Sequence, residues 1–205
     1  MTWRVKRFAV VSIITLVLGL LASNKFWFPY DDGATLTSAE LILRGCLPYR
    51  DFVTPYPPFH YYIIALLFKI FGVNHLVARL YVVLTYTVIS TFTFYAATLF
   101  AGRFRKVAYL AWAACAMALV PRLGPTLSVN WTAFLFVYLS FALFYIFIKR
   151  RQSYLIFLSG ITTGFALISK QDIGLYAVVA QFAVLIMMPV INRDGLRSGF
   201  SSLTS

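Results

Sequence analysis

Acidic side chains are scarce in this chain of 205 residues, and four of the six lie within residues 31–60. They are Asp31, Asp32, Glu40 and Asp51, and His60 closes the same segment. A carboxylate can take the proton of an attacking hydroxyl group, and carboxylates with an imidazole can also ligate a divalent cation. We therefore expect the chemistry of this protein in this segment.

The composition of the whole chain is typical of a membrane protein. Hydrophobic residues make up 61% of it, charged residues only 12%, and the mean hydropathy is +0.82. One water-soluble core could not bury so much apolar surface. The apolar runs are long and do not alternate, which predicts an all-α bundle and disfavours a closed barrel. Cys46 lies in a polar segment and Cys115 in an apolar run, so we expect no disulfide between them.

Six apolar runs approach the length of about 20 residues that a membrane-spanning helix needs. They are Phe8–Trp27, His75–Phe100, Val107–Val120, Thr132–Ile148, Ser153–Ser169 and Ile173–Ile191. We assign residues 1–195 to one membrane domain, residues 28–74 to its first outer loop, and residues 196–205 to a polar tail. The first run also fits a cleaved secretory signal, but the aromatic residues that end it favour a retained span.

Eleven of the eighteen basic residues flank these runs on one side of the predicted membrane. Because short cytoplasmic loops retain Lys and Arg, both termini are predicted to be cytoplasmic. The net charge of +12 then reports topology and does not indicate nucleic-acid binding. The residues are Arg4, Lys6, Arg7, Arg103, Arg105, Lys106, Lys149, Arg150, Arg151, Arg193 and Arg197.

The first outer loop is predicted to contain two juxtamembrane helices. The apolar positions of Ala34–Leu43 suit a helix in the headgroup plane, and Gly45 can end it in a left-handed conformation. Pro58 suits the start of the second helix, Phe59–Phe71, which Gly72 ends. A short tilted span over Phe59–Phe71 is the alternative, and it would invert every later loop.

Several motifs follow one another along this part of the chain. They are Asp31-Asp32, Gly45-x-x-Pro48-Tyr49-x-Asp51-Phe52, Tyr56-Pro57-Pro58, Lys69-Ile70-Phe71-Gly72, Ala78-Arg79-Leu80 and, much later, Ser169-Lys170-Gln171. Their order and spacing resemble those of GT-C glycosyltransferases, above all the protein O-mannosyltransferase group and the lipid A aminoarabinose transferase. The resemblance covers residues 1–195 and implies a polyprenyl-phosphate-linked sugar donor, used at the outer face of a bacterial plasma membrane.

Such enzymes are normally much longer than this chain. We therefore expect the sequence to be an amino-terminal part of such an enzyme, or a subunit for which a partner chain supplies the carboxyl-terminal half. The alternative to a transferase is a non-catalytic lipid-binding or assembly subunit of a membrane glycosylation complex. A transporter is disfavoured, because transport sites usually lie near the middle of the membrane and the predicted span interiors contain no acidic residue.

Transfer of a sugar from a lipid phosphate to a hydroxyl group requires a base for the attacking oxygen. Asp31 is the predicted base. Asp32 either shares this catalytic role or caps the helix that begins near Ala34.

The leaving phosphate requires a cation or a helix amino terminus. Lys170 is the first candidate, although a lysine snorkelling to the interface is an equal alternative. Arg79 and Arg122 are the other outer basic residues, and Arg79 could instead pair with an acid of the loop.

The remaining substrate-binding candidates are Tyr56, His60 and Asp51, with Tyr49 and Tyr61 as further loop contacts. Asp31, Asp32 and His60 could also hold Mg²⁺ or Mn²⁺ between carboxylate and phosphate. Their spacing is not diagnostic of a metal site, and a lone histidine such as His60 is more often an interfacial hydrogen-bonding residue than a metal ligand.

Overall fold

A computed structural model of the chain describes residues 2–23, 29–100, 105–117 and 126–201, with side chains described over 6–23, 29–98, 106–114 and 126–188. Within these residues the fold is an all-α membrane bundle, which confirms the predicted fold class. A π-helical turn, Pro29–Gly33, precedes the second helix. The helices are α1 Thr2–Ala22, α2 Ala34–Leu43, α3 Phe59–Phe71, α4 His75–Phe100, α5 Arg105–Met117, α6 Val129–Arg150, α7 Ser153–Leu167 and α8 Gln171–Ser201.

Three of the described helices are long and apolar enough to cross a membrane. They are α4 over His75–Thr98, α6 over Val129–Arg150 and α8 over Gln171–Met188, whereas α3 and α7 are apolar but shorter. Each of the six predicted spans coincides with a helix, although the carboxyl ends of the first and third lie outside the described residues. The number of six crossings stays a prediction.

Both helices of the first outer loop have the predicted bounds, because glycine ends each of them. Gly45 has φ +87° and Gly72 has φ +86°, a backbone region that other residues rarely adopt. After α2, the Cys46 N–H donates to Leu41 O and the Gly45 N–H donates to Ile42 O, both at 3.0 Å. This pair of bonds satisfies the last carbonyls of the helix.

The first outer loop is packed onto the start of α4. Helix α1 ends beside this start, since the position of a Cβ on Gly19 lies only 2.9 Å from Val83 Cγ1. Helices α2, α3 and α4 then share one apolar core with a residue that precedes α6, made of Ala39, Ile64, Ala65, Phe68, Ala78, Val82 and Leu127.

A buried polar cluster joins α6, α7 and α8. Ser140 Oγ donates to Ser159 O at 2.9 Å, and Ser159 Oγ donates to Ser140 O at 3.0 Å. Gln181 Nε2 donates to Ser140 Oγ at 2.6 Å, and Thr163 Oγ1 donates to Gln181 Oε1 at 3.3 Å. Such interhelical bonds fix the relative position of membrane helices. They hold the end of α7 beside the beginning of α6.

Helices α7 and α8 pack closely where Gly174 meets Leu167. A Cβ at Gly174 would lie 2.5 Å from both the N and the Cα of Leu167, so backbone would have to move. We expect Gly174→Ala to destabilise the protein by about 1–3 kcal/mol, as overpacking does. The matched control is Gly160→Ala, because nothing lies within 4 Å of a Cβ there. Thermal unfolding in detergent tests this, and equal midpoints for the two variants would contradict it.

Candidate functional site

Asp32 and Arg79 form a fully buried ion pair between the first outer loop and α4. Arg79 Nη2 donates to Asp32 Oδ2 at 2.5 Å, and their side chains are 2% and 0% exposed. The other oxygen, Asp32 Oδ1, accepts the Leu127 N–H at 2.7 Å. This confirms the prediction that Arg79 could pair with an acid of the loop. The N-cap residue of α2 is Gly33, which has helical φ and ψ, and the helix-capping alternative for Asp32 stays a prediction.

Asp31, in contrast, is exposed to solvent at the same turn. Its charge acts on Tyr61 of α3: burial first, and then Tyr56, Tyr49 and Asp31, raise the pKa of Tyr61 to about 12. Each of these three residues therefore lies within electrostatic range of Tyr61. The Tyr49 hydroxyl donates to Tyr56 O at 2.9 Å, which fixes the two loop tyrosines relative to each other.

Lys170 lies beside Tyr56. Its ammonium group donates to Asn130 Oδ1 at 2.7 Å, lies 3.7 Å from Asp172 Oδ2, and sits 5.3 Å from the centroid of the Tyr56 ring. The side chain is 18% exposed, so it is held in a partly enclosed position and does not extend freely into the interface. Asp172 is a near neighbour of Lys170 in the chain, whereas the contact with Asn130 of α6 was not foreseen.

The turn that carries Tyr56 is attached to α7 by main-chain and aromatic contacts. The Phe59 N–H donates to Ile168 O at 3.4 Å. The Phe59 ring stacks on Phe165 with centroids 5.0 Å apart and lies 5.7 Å from Phe136. These contacts hold the turn that carries Tyr56 beside the end of α7, near the partly buried ammonium group of Lys170.

His60 is buried below this surface, at the start of α3. Its Nδ1 lies 2.7 Å from Thr132 Oγ1, and its Nε2 lies 3.3 Å from Leu127 O. Burial lowers the pKa of His60 to about 4, against the opposing effect of the bond to Leu127. The ring is 0% exposed, so direct contact with substrate stays a prediction without geometric support.

Asp51 closes a turn of its own on the exposed part of the loop. Its carboxylate accepts the Leu47 N–H at 2.7 Å and two bonds from the Arg50 guanidinium, at 2.9 and 2.8 Å. The bonds from Arg50, and then the one from Leu47, lower the pKa of Asp51 to about 2. A substrate-binding role for Asp51 stays a prediction. Arg122 and Cys115 lie outside the described side chains, and Cys46 is a free thiol.

The predicted set of metal ligands does not fit a divalent cation. Both Asp32 oxygens bind Arg79 and Leu127, and both His60 nitrogens face partners of their own. Among the residues whose positions are described, no group of three or more His, Cys, Asp or Glu side chains could hold a metal ion. Of the three predicted ligands only Asp31 keeps an exposed carboxylate, and one carboxylate is not a metal site.

Comparison with known proteins gives one family match. Residues 55–203 match the family model described as dolichyl-phosphate-mannose-protein mannosyltransferase. No curated protein and no solved structure gives a significant match to the chain. The matched region contains Tyr56, Arg79 and Lys170 but begins after Asp31 and Asp32. Asp32 is nevertheless connected to the matched region by contacts in space, through Arg79 and Leu127.

Proposed function

The chain belongs to the dolichyl-phosphate-mannose-protein mannosyltransferase family of GT-C membrane glycosyltransferases, and from this premise we propose that it transfers a sugar from a polyprenyl-phosphate donor to a hydroxyl acceptor. The observation that carries the proposal is that Lys170 lies 5.3 Å from the centroid of the Tyr56 ring, while Tyr56 and Asp31 both act on the pKa of Tyr61. A base for the acceptor and a cation for the leaving phosphate are the two groups that this transfer needs.

On the donor side, Lys170 binds the phosphate that leaves. A partly enclosed ammonium group stabilises developing phosphate charge better than a fully hydrated one, since its field is screened less. Asn130 and Asp172 hold the lysine at the end of α7, so little side-chain freedom is lost when phosphate binds. The Tyr56 ring offers an apolar surface for the sugar beside this cation.

On the acceptor side, Asp31 acts as the general base. The acceptor oxygen attacks the anomeric carbon from the face opposite to the phosphate, and its proton passes to the Asp31 carboxylate. The bond from the anomeric carbon to the phosphate oxygen breaks, and the electron pair leaves with the phosphate. Asp32 has a different role in this assignment, because both of its oxygens are bound within the protein.

The membrane orientation follows from the distribution of charges. Basic clusters follow the second, fourth and sixth predicted spans, so we place the amino terminus in the cytoplasm and the first outer loop on the external face of a bacterial plasma membrane. Labelling of an Asp31→Cys variant in intact cells with a membrane-impermeant maleimide tests this. The wild-type chain, with Cys46 and Cys115, is the background control. No labelling of position 31 until the cells are permeabilised would contradict the placement.

The transfer itself is tested with radiolabelled polyprenyl-phosphate mannose and a hydroxyl acceptor in membranes that contain the full chain. Transfer of label to the acceptor, absent from membranes without the chain, supports the proposal. Binding of the donor without transfer, when both substrates are supplied, would instead identify a lipid-binding or assembly subunit.

Lys170→Met is expected to raise the KM for the lipid-linked donor by about 10- to 100-fold. This range corresponds to the loss of one hydrogen bond to a charged group. Lys170→Arg should restore part of the loss, because the positive charge remains. Lys69→Met is the matched control, since Lys69 is an exposed lysine at the end of α3. Initial rates at varied donor concentration provide the measurement, and equal KM values for Lys170→Met and Lys69→Met would exclude this phosphate site.

A further inference from the structure

Three side chains of the first outer loop hold the main-chain groups of Leu127. Its N–H donates to Asp32 Oδ1 at 2.7 Å, and its carbonyl accepts from the Thr35 hydroxyl at 2.9 Å and lies 3.3 Å from His60 Nε2. Leu127 is fully buried and directly precedes Ser128, the N-cap of α6. The hydrogen bonds of this one residue therefore hold the segment that precedes α6 against the loop that carries Asp31 and Asp32.

The partners of His60 define which of its nitrogens carries the proton. A carbonyl can only accept, so the Nε2–H donates to Leu127 O. Nδ1 then accepts from the Thr132 hydroxyl at 2.7 Å, and Thr132 Oγ1 in turn accepts from the Tyr81 hydroxyl at 2.8 Å. The neutral imidazole satisfies every partner in this chain of hydrogen bonds.

We propose that His60 is a positioning residue of the transferase, whose neutral imidazole fixes the Leu127 peptide and thereby the turn that presents Asp31. The inference rests on the proposed function, since it assigns Asp31 to the acceptor. His60 acts through two bonded steps: it holds the Leu127 carbonyl, and the Leu127 N–H holds the Asp32 carboxylate next to Asp31 in the chain. Neither step requires His60 to touch a substrate.

Protonation of His60 is expected to break this arrangement. A proton on Nδ1 would place a charged ring in a fully buried site, against the Thr132 hydroxyl. The groups that face the ring are Tyr61 of the same helix, at 5.8 Å between ring centroids, and Tyr81 of α4, at 6.2 Å. The Asp32–Arg79 ion pair, in which the two opposite charges offset each other, binds the N–H of Leu127.

The pH dependence follows from the sign of the shift. The pKa of His60 is lowered from about 6.5 to about 4 in the folded protein, so the unfolded chain binds more protons between these values. The stability that the neutral ring contributes is complete above about pH 6.5 and is lost as the pH falls towards 4. Variants without a titrating group at position 60 should lack this part of the pH dependence.

The kinetic test compares His60→Leu with His60→Gln in the full chain. The glutamine amide can donate to Leu127 O and accept from Thr132, whereas leucine can do neither. We expect His60→Leu to lower kcat by about 10- to 100-fold, the effect of a small misplacement of a catalytic group, with an unchanged donor KM. His60→Gln should retain most of the activity. Equal losses in both variants, or a loss confined to donor KM, would overturn the proposal.

A second measurement does not depend on activity. In detergent-solubilised protein, His60→Leu should accelerate amide hydrogen exchange at residues 127–131 by at least about tenfold, since lost bonds open the backbone locally. His60→Gln should stay protected there. Exchange in α7 around Ser159 is the internal control. Unchanged protection at residues 127–131 in His60→Leu would overturn the proposal.

If His60→Leu does not fold, thermal unfolding of wild type and His60→Gln at pH 6.5 and pH 4.5 decides the question. Between pH 6.5 and pH 4.5 the thermal midpoint of the wild type should fall more than that of His60→Gln. Equal falls would contradict the proposal that a neutral His60 holds the Leu127 peptide. Failure of the wild type to transfer sugar, with exchange as expected, would refute the proposed function alone. Normal transfer with a fully active His60→Leu variant would refute the role of His60 alone.

Discussion

Replacing Asp31 by Asn is expected to lower the rate of sugar transfer by about 10²- to 10⁴-fold, the range in which general bases contribute to catalysis. The amide keeps the shape of the side chain but cannot take the proton of the acceptor hydroxyl. Asp31 is exposed, so the substitution should leave folding intact. Initial transfer rates and the thermal midpoint, measured on the same preparation, separate the two effects.

Asp51→Asn is the matched control, because it removes another exposed carboxylate of the same loop. Asp51 is bound to Arg50 and Leu47 within its own turn. Its substitution should change the transfer rate by less than about tenfold. If Asp31→Asn retains half of the wild-type rate, or if Asp51→Asn loses as much, Asp31 is not the base.

Removing one partner of the buried ion pair is expected to have the largest effect on stability. Asp32→Ala leaves the Arg79 guanidinium buried opposite a lost carboxylate and deprives the Leu127 N–H of its acceptor. The expected loss is about 3–5 kcal/mol of unfolding free energy, as found when a buried pair is broken from one side. Denaturant unfolding in detergent, followed by tryptophan fluorescence, provides the measurement.

An exposed ion pair of the same loop gives the control. Arg44 and Glu40 lie one helical turn apart on α2, with 3.6 Å between Arg44 Nη2 and Glu40 Oε2 and side chains 74% and 40% exposed. Glu40→Ala should therefore cost only about 0.3–0.5 kcal/mol. An Asp32→Ala variant no less stable than Glu40→Ala would show that the Asp32–Arg79 contact contributes nothing to the fold.

The elements of this fold were predictable because their signals are local. Gly45 and Gly72 end α2 and α3 where the sequence indicated, and α4 has the predicted bounds. The sequence also predicted that Arg79 could pair with an acid of the loop, although it did not identify the acid. A buried charge needs an opposite charge beside it. The sequence could not say which acid, because that depends on how α1 ends beside α4.

The contacts that sequence reasoning missed join distant segments through groups without a chemical signature. Leu127 binds Asp32 and Thr35 across 95 and 92 residues, and it does so with its peptide alone. Asn130 binds Lys170 across 40 residues, and only the antiparallel packing of α6 and α7 brings them together. A polar residue at the start of one predicted span, opposite a lysine at the end of the next, was the available signal.

The main-chain hydrogen bonds of Leu127 also determine which substitutions related sequences can tolerate at this position. Because only the amide and the carbonyl take part, Val, Ile or Met at this position would keep both bonds and fill the same apolar space. Proline would delete the donor that Asp32 needs. Comparison of residue identities across homologues would therefore show position 127 as an interchangeable aliphatic site. It would not show the two hydrogen-bonding roles of its main chain.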